Sequence, residues 1–243
     1  MHAISYDEIH YEFVVPQQFG QAILTFRGSA TGEEAPIRVI QGSRTMLEQP
    51  DRLGLDAVHN EIFVPEGNKV LVYPREATGN VAPIRVLQGP DTGLGASSVA
   101  IDPIHNLLTV VGGNRRQGTK VMIFDRMANG NTKPLRVING PNTQLGQPGG
   151  PHTVYAPTGR ILVTIRSQGA SGGLGERMTT DDGFVGVWSI NDNGNVPPRW
   201  QIGGPNGALQ MVRGVAVNPK YKELIVTDKR LNAILTFSFP ELF

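Results

Sequence analysis

The chain has no cysteine among its 243 residues. Disulfides, thiolate nucleophiles and Cys-ligated metals are thereby excluded. A dominant charge is also missing, since 22 Lys and Arg stand against 21 Asp and Glu, leaving a net charge of +1. Such a balance provides no global field to attract nucleic acid or an anionic membrane surface, and neither is expected as a partner. No apolar stretch approaches the roughly 20 residues of a membrane span. The start, Met1-His2-Ala3-Ile4-Ser5-Tyr6-Asp7, lacks the basic segment and apolar run of an export signal. Asn-x-Ser/Thr sequons are absent as well, so neither glycosylation nor a leader indicates a compartment. Finally, no segment holds a helical period over ten or more residues.

What is present is punctuation and repetition. Thirty Gly and 18 Pro break the apolar residues, 39% of the chain, into short runs. This composition predicts many short strands joined by turns, in one domain. Pro-x-Arg occurs at Pro36-Ile37-Arg38, Pro83-Ile84-Arg85, Pro134-Leu135-Arg136 and Pro197-Pro198-Arg199. A second repeated element is a turn: Asp7-Glu8-Ile9-His10, Asp56-Ala57-Val58-His59 and Asp102-Pro103-Ile104-His105, with divergent copies at Ala156 and Asn218. These anchors at 7, 56, 102, 156 and 218 are 49, 46, 54 and 62 residues apart, a period that suits a four-stranded propeller blade.

Superposing the units assigns four strands to each. An inner strand carries small or compact residues two places before the anchor: Ser5, Gly54, Ala100, Val154 and Ala216. A β-branched second strand follows the turn, as in Ile62-Phe63-Val64 and Leu224-Ile225-Val226. The third strand is at Ala22–Phe26, Lys69–Tyr73, Lys120–Phe124, Phe184–Trp188 and Ala233–Phe237. A hairpin turn is expected at Thr78-Gly79-Asn80, Asn129-Gly130-Asn131 and Asn193-Gly194-Asn195. Pro-x-Arg then forms the outer strand, where the missing N–H of Pro costs no ladder bond. Gly89–Gly95 and Gly140–Gly146 return the chain to the next unit.

The expectation is an all-β propeller of five repeats, spanning approximately 1–50, 51–95, 96–150, 151–212 and 213–243. Nineteen strands are predicted, in four complete blades and a last one without its fourth strand. Either the ring closes on a short blade, or the chain belongs to a longer propeller, or strand Ala233–Phe237 accepts a strand from another chain.

The repeats resemble NHL-type β-propellers of bacterial proteins, in Val215-Ala216-Val217-Asn218-Pro219, Val99-Ala100-Ile101-Asp102-Pro103 and Asn68-Lys69-Val70-Leu71-Val72-Tyr73. The likeness spans nearly the whole chain, apart from the long Gly-Asn-x-x-Pro-x-Arg outer segment. It implies the propeller architecture and suggests an extracytoplasmic place. Activity does not follow, because the fold hosts binders, scaffolds, lyases and lactone hydrolases.

Several residues invite chemistry. Arg38, Arg85, Arg136 and Arg199 recur, as do Arg27, Arg75 and Arg126 at the ends of third strands. Each is expected to pair with a nearby carboxylate or carbonyl, since equivalent groups spread around a rim do not make one catalytic centre. His10, His59 and His105 occupy separate repeats, too far apart to share an ion at ligand distances of about 2 Å. They are expected to bond to their own turns. Gly169-Ala170-Ser171-Gly172-Gly173 matches Gly-x-Ser-x-Gly but lacks the helix a nucleophile elbow requires. Glu176, Asp181 and Asp182 read as solvated loop charges.

The repeat itself is broken by enlarged loops, Gly112–Thr119 and Arg166–Gly183. Insertions on one face of a repeat array build binding surfaces. With the starts of the inner strands, they define a candidate rim of Arg52, Arg115, Arg116, His152, Arg166 and Arg213, suited to an anionic or carbonyl-bearing ligand. The expected function is a non-enzymatic binding or assembly module, with a protein partner or small anionic ligand and self-association through the last blade. The alternative is a hydrolase or lyase of the lactonase or streptogramin-lyase type, with a pocket at the channel mouth. Metal-dependent members of that group converge several Glu, Asp and Asn on one cation, whereas the inner-strand starts here offer mainly Asp51. No metal or cofactor is expected.

Overall fold

The computed structural model describes residues 3–114, 118–167, 183–204 and 207–243, with the backbone alone at 114, 166 and 167. The chain forms five antiparallel sheets in sequence order. The first contains β1 (Ser5–Asp7), β2 (Glu12–Gln17), β3 (Ala22–Arg27) and β4 (Arg38–Gln41). The second contains β5 (Gly54–Asp56), β6 (Glu61–Glu66), β7 (Lys69–Pro74) and β8 (Arg85–Gln88). The third contains β9 (Ala96–Asp102), β10 (Leu107–Asn114), β11 (Gly118–Asp125) and β12 (Arg136–Ile138). In the fourth are β13 (Gln147–Pro148), β14 (Thr153–Tyr155), β15 (Arg160–Ser167), β16 (Phe184–Ser189) and β17 (Trp200–Gly203). The fifth has β18 (Val212–Asn218), β19 (Glu223–Asp228) and β20 (Ala233–Ser238).

The fourth sheet therefore has one strand more than expected, because its inner segment pairs with β15 in two pieces, β13 and β14. Pro148 and the glycines after it interrupt the continuous ladder formed by β9. Among the described residues, no helix is long and apolar enough to cross a membrane.

Side chains set the turns between the inner and second strands. Asp7 accepts the N–H groups of Ile9 and His10 at 3.0 and 2.9 Å, and its other oxygen meets His10 Nδ1 at 2.8 Å. Asp56 with His59, and Asp102 with His105, repeat the arrangement at the same 2.8 Å. The histidines thus serve their own turns, as expected. The inner strands are crowded: a Cβ at Gly54 would lie 2.6 Å from the side chain of Ile101.

The Asn-Gly segments do something other than close a hairpin. Gly79, Gly130 and Gly194 form parallel bridges to Ile40, Leu87 and Ile138, each on the outer strand of the preceding sheet. Gly79 donates its N–H to Val39 O at 2.6 Å and accepts that of Gln41 at 3.1 Å, and the other two glycines do the same one and two sheets on. The flanking side chains extend the clasp. Asn129 and Asn193 accept the N–H groups of Val86 and Val137 at 3.0 and 2.9 Å. Asn80, Asn131 and Asn195 accept those of Arg44, Asp91 and Asn142 at 2.7–2.8 Å. The outer strand of each of the first three sheets is therefore capped by the loop of the next unit.

By compactness the chain forms two units, Met1–Leu108 with Asp125–Pro134, and Thr109–Phe124 with Leu135–Phe243. In the first unit, Val14, Ile23 and Ile40 of the first sheet pack with Ile62, Val64, Leu71 and Tyr73 of the second. In the other, Leu162, Val185 and Val187 pack with Val212, Leu224, Val226 and Leu242. Alternation along each strand delivers these apolar rows to one face, so face-to-face packing of successive sheets is the source of core burial.

The clasp predicts a coupling. Gly89 has φ +150°, and a Cβ there would run into Asn131 Oδ1. Gly89→Ala should destabilise by about 1–3 kcal/mol, and the steric part of that loss, though not the part due to positive φ, should shrink in a background carrying Asn131→Gly, which removes the Asn131 Cβ as well as its amide. Additive losses in a urea-denaturation double-mutant cycle would show that the two positions do not meet.

Candidate functional site

The Pro-x-Arg arginines are clamped from inside the protein. Arg38 on β4 and Arg75 just after β7 both donate to Glu12 Oε2, Arg75 at 2.6 Å. One sheet on, Arg85 of β8 grips Glu61 through two parallel bonds of 2.7 and 2.8 Å. Arg126, just after β11, donates to the same Glu61 carboxylate. Each Glu begins a second strand and holds its own outer strand together with the following unit. Arg75 and Arg126 are further fixed by Asn60 and Asn106, whose Oδ1 atoms accept from Nε at 2.9 Å. The expectation that the Arg residues tie blade edges is met for Arg38, Arg75, Arg85 and Arg126, with the addition that they share two carboxylates.

Register corrects two of the equivalences. Arg75 and Arg126 donate their N–H groups to Asn60 O and Asn106 O, and the residue making that bond in the first unit is Gly28, not Arg27. Arg27 instead forms an exposed pair with Glu34 at 2.5 Å. Likewise Arg199 donates its N–H to Val187 O just as Ile37 does to Thr25 O, so Arg199 stands at the place of Ile37. Trp200, opposite Val187, takes the place of Arg38, opposite Thr25. The residue at the Glu12 place in that sheet is Arg160, whose guanidinium lies 5.2 Å from the Trp200 ring centroid. Arg199 turns outward to Asp192 at 2.6 Å. The second-strand residue and the outer-strand residue thus match chemically: Glu12 with Arg38, Glu61 with Arg85, Arg160 with Trp200. In the third sheet Leu107 replaces the Glu, and Arg136 has no ion pair among the described residues.

The candidate rim is placed only in part. Arg115 and Arg116 lie outside the described residues, as do Ser171, Glu176, Asp181 and Asp182, and the side chain of Arg166 is not described. In the first unit, Arg52 donates to Ser97 O at 3.0 Å and lies 3.8 Å from Asp51. In the second, Arg213 donates to Gly149 O at 3.1 Å. His152 is 5% exposed and its Nε2 is 2.9 Å from Thr109 Oγ1. Arg213 therefore ties β18 to the closely approaching Gly149-Gly150 segment, while His152 links the residues after that segment to Thr109 of β10. Two open clefts in the first unit, of about 660 and 510 Å³, are lined by groups that already have partners: Lys69 pairs with Glu48 in one, and in the other Glu12 pairs with Arg38 and Arg75, and Arg27 with Glu34.

The remaining feature is the outer edge of the fifth sheet. β20 reads Ala233-Ile234-Leu235-Thr236-Phe237, residue for residue the same as Ala22-Ile23-Leu24-Thr25-Phe26 of β3. In the first sheet β4 covers this edge, with Ile23 opposite Ile40 and Thr25 opposite Arg38. In the fifth sheet no strand borders β20 among the described residues. Ile234 is 73% exposed, against 1% for Ile23. The other face of β20 is anchored, because Leu235 and Phe237 pack with Val187, Leu224 and Val226. Phe239 meets Trp200 edge-on at 5.7 Å, and Phe243 meets Tyr155 at 4.9 Å. Asp228, at the end of β19, accepts four backbone N–H groups at 2.7–3.1 Å, from Gln210, Met211, Arg230 and Leu231. Burial alone would raise its pKa, but these donors hold it below the usual carboxylate range. An open strand is thus mounted on a well-fixed support.

Comparison with family models gives no match, and none is found among curated proteins. Solved structures do match. Hydrazine synthase of Kuenenia stuttgartiensis superposes with a TM-score of 0.60 at 12% identity, over 92% of this chain and 54% of that one. The β-propeller domain of Cps50 (Swd1) from Myceliophteria thermophila gives 0.62 at 12% identity, over 99% of this chain and 66% of that one. The chain spans about half to two thirds of the length of these structures. The fold is a β-propeller, here of five sheets.

The shared carboxylate of Glu61 carries a pH signature. Burial raises its pKa, but the hydrogen bonds and charges of Arg85 and Arg126 outweigh this and hold it below its ordinary value of 4.5. A depressed folded-state pKa gives stability that is present above the unfolded value and lost as pH falls through the folded one. Glu61→Gln should cost roughly 3 kcal/mol at neutral pH by stranding the Arg126 guanidinium. The variant should also lose less on acidification than the parent, in urea titrations between about pH 3 and pH 7. Equal pH slopes in the two proteins would remove Glu61 from the clamp.

Proposed function

We propose that this chain is a non-enzymatic binding and assembly module of NHL-repeat type, whose working element is the outer edge of its last sheet. One observation carries the reading: β20 repeats the sequence of β3, which accepts a fourth strand, yet its own edge is open. An uncovered strand leaves every second N–H and C=O pointing at solvent, a template for strand addition. Ordinary protective devices are absent along it, since Ala233–Phe237 contains neither Pro nor a charged residue. The NHL assignment is supported by the inner-strand pattern Val-Ala-Ile/Val-Asp/Asn-Pro at Val99 and Val215. Propeller-fold proteins commonly present surfaces for partners, and here the edge of one sheet supplies main-chain bonds for affinity while alternate side chains select the partner.

The reading is tested by hydrogen exchange together with sedimentation. The amides of Ile234 and Thr236, counterparts of Ile23 and Thr25, should exchange with little protection in dilute protein and become protected as concentration rises. Sedimentation velocity should show association over the same range, and Ile234→Lys, an edge charge at an exposed site, should remove it. A strict monomer throughout, with Ile234 and Thr236 already protected at high dilution, would overturn strand acceptance at this edge.

A further inference from the structure

We infer that β20 selects an extended segment of another polypeptide with the pattern Pro-(Ile/Leu)-Arg-Val-(Ile/Leu), and that Glu223 reads its Arg. This deepens the edge-binding proposal and rests on it. Glu223 begins β19 five residues after Asn218, as Glu12 follows Asp7 and Glu61 follows Asp56 by five. Ladder register confirms the equivalence: Glu223 lies opposite Ser238 at the far end of β20, and Glu12 lies opposite Arg27 at the same end of β3.

At Glu12 and Glu61 the carboxylate takes the Arg of its own outer strand and a second Arg from the following unit. Glu223 has neither. Among the described residues its one hydrogen bond comes from Asn218 Nδ2 at 3.2 Å, and none of their cations pairs with it. A half-buried carboxylate beside an open strand, with the neighbouring strand a copy of β3, is therefore a vacancy of defined chemistry.

Both sheets that carry Glu at this position face it with Arg, whereas the third sheet keeps Arg136 although Leu107 stands at the Glu place. Where Arg160 replaces the Glu, the outer strand offers Trp200 instead of Arg at the facing position. A Glu at this position accordingly calls for Arg. Copying the pairing of β3 with β4 onto β20 sets the incoming segment antiparallel, with Arg opposite Thr236, Val opposite Leu235 and Ile opposite Ile234. The segment's Ile then lies beside Ile234 as Ile40 lies beside Ile23, whose burial also draws on Ile62, Val64, Leu71 and Tyr73 of the second sheet. Pro precedes the paired residues, where its missing N–H breaks no bond, and the Arg fork supplies a charge-assisted, directional contact.

The probe is the chain's own outer-strand sequence as a fluorescent peptide, Glu-Ala-Pro-Ile-Arg-Val-Ile-Gln-Gly (residues 34–42), added to the intact protein. Anisotropy should show saturable binding. Replacing the peptide Arg with Glu should weaken binding by at least about tenfold. Glu223→Arg should bind the original peptide equally poorly and recover affinity for the Glu-containing one. Recovery in this charge swap also shows that the variant is folded. Ile234→Lys should weaken both peptides, and this arm reports on the edge itself. If the Arg and Glu peptides bind alike while Ile234→Lys abolishes both, the edge accepts strands but Glu223 does not choose them, and the inference fails alone. If neither peptide binds while the parent still self-associates in sedimentation, the pattern proposed for the partner is wrong. If there is neither binding nor association, the edge-binding reading falls as well.

Discussion

An outer β-strand exposes a row of N–H and C=O groups that must find partners or remain in water, and this requirement organises the protein. In the first three sheets it is met by the next unit, whose Gly79, Gly130 or Gly194 bonds back onto the outer strand while flanking Asn side chains take up further amides. Successive sheets are thus joined by main-chain bonds at their outer rims as well as by apolar faces. Glycine suits the clasp because the backbone there turns through φ of +59 to +79°, a conformation L side chains rarely adopt, although a Cβ would meet nothing within 4 Å. No such clasp reaches β20 among the described residues.

The charged clamps reinforce this plan. Removing two arginines and a carboxylate from water is costly, and such a group holds only when its bonds are well made. Glu61 receives two parallel bonds from Arg85 and another from Arg126, while Arg126 is steered by Asn106. Glu faces Arg in two sheets and Arg160 faces Trp200 in another, while in the third sheet Leu107 stands at the Glu place and Arg136 remains. A cationic ring spread over a rim, the other reading of repeated Arg, is not what these side chains form. Arg38, Arg75, Arg85 and Arg126 are paired inside the protein, while Arg27 and Arg199 pair with Glu34 and Asp192 at its surface.

Much of the architecture was legible in the order of residues. Anchors at regular spacing, β-branched second strands and compact inner strands gave the number of sheets and nearly all their strands. The exception was β13, where Pro148 and the following glycines split an inner strand that the repeat presented as single. The histidine turns were legible because Asp-x-x-His is a local motif, its bonds spanning three residues. The clamp carboxylates were overlooked although they stood at a constant five residues from their anchors, since attention fell on the Arg that recurs four times. Arg27 and Arg199 were misaligned by one position, an error that sequence spacing tolerates and ladder register does not.

Composition and periodicity by themselves determined that this is an all-β repeat protein with Pro-x-Arg outer strands. Those properties are local: they follow from turn residues, alternation and repeat length. Tertiary structure decided the partners. It showed that Asn-Gly loops clasp the preceding sheet, that Glu12 and Glu61 each hold two arginines, and that Ile234 stands exposed where its twin Ile23 is covered. Two identical pentapeptides cannot differ in local preference. Their different fates come from what lies beside them in space, which no reading along the chain contains.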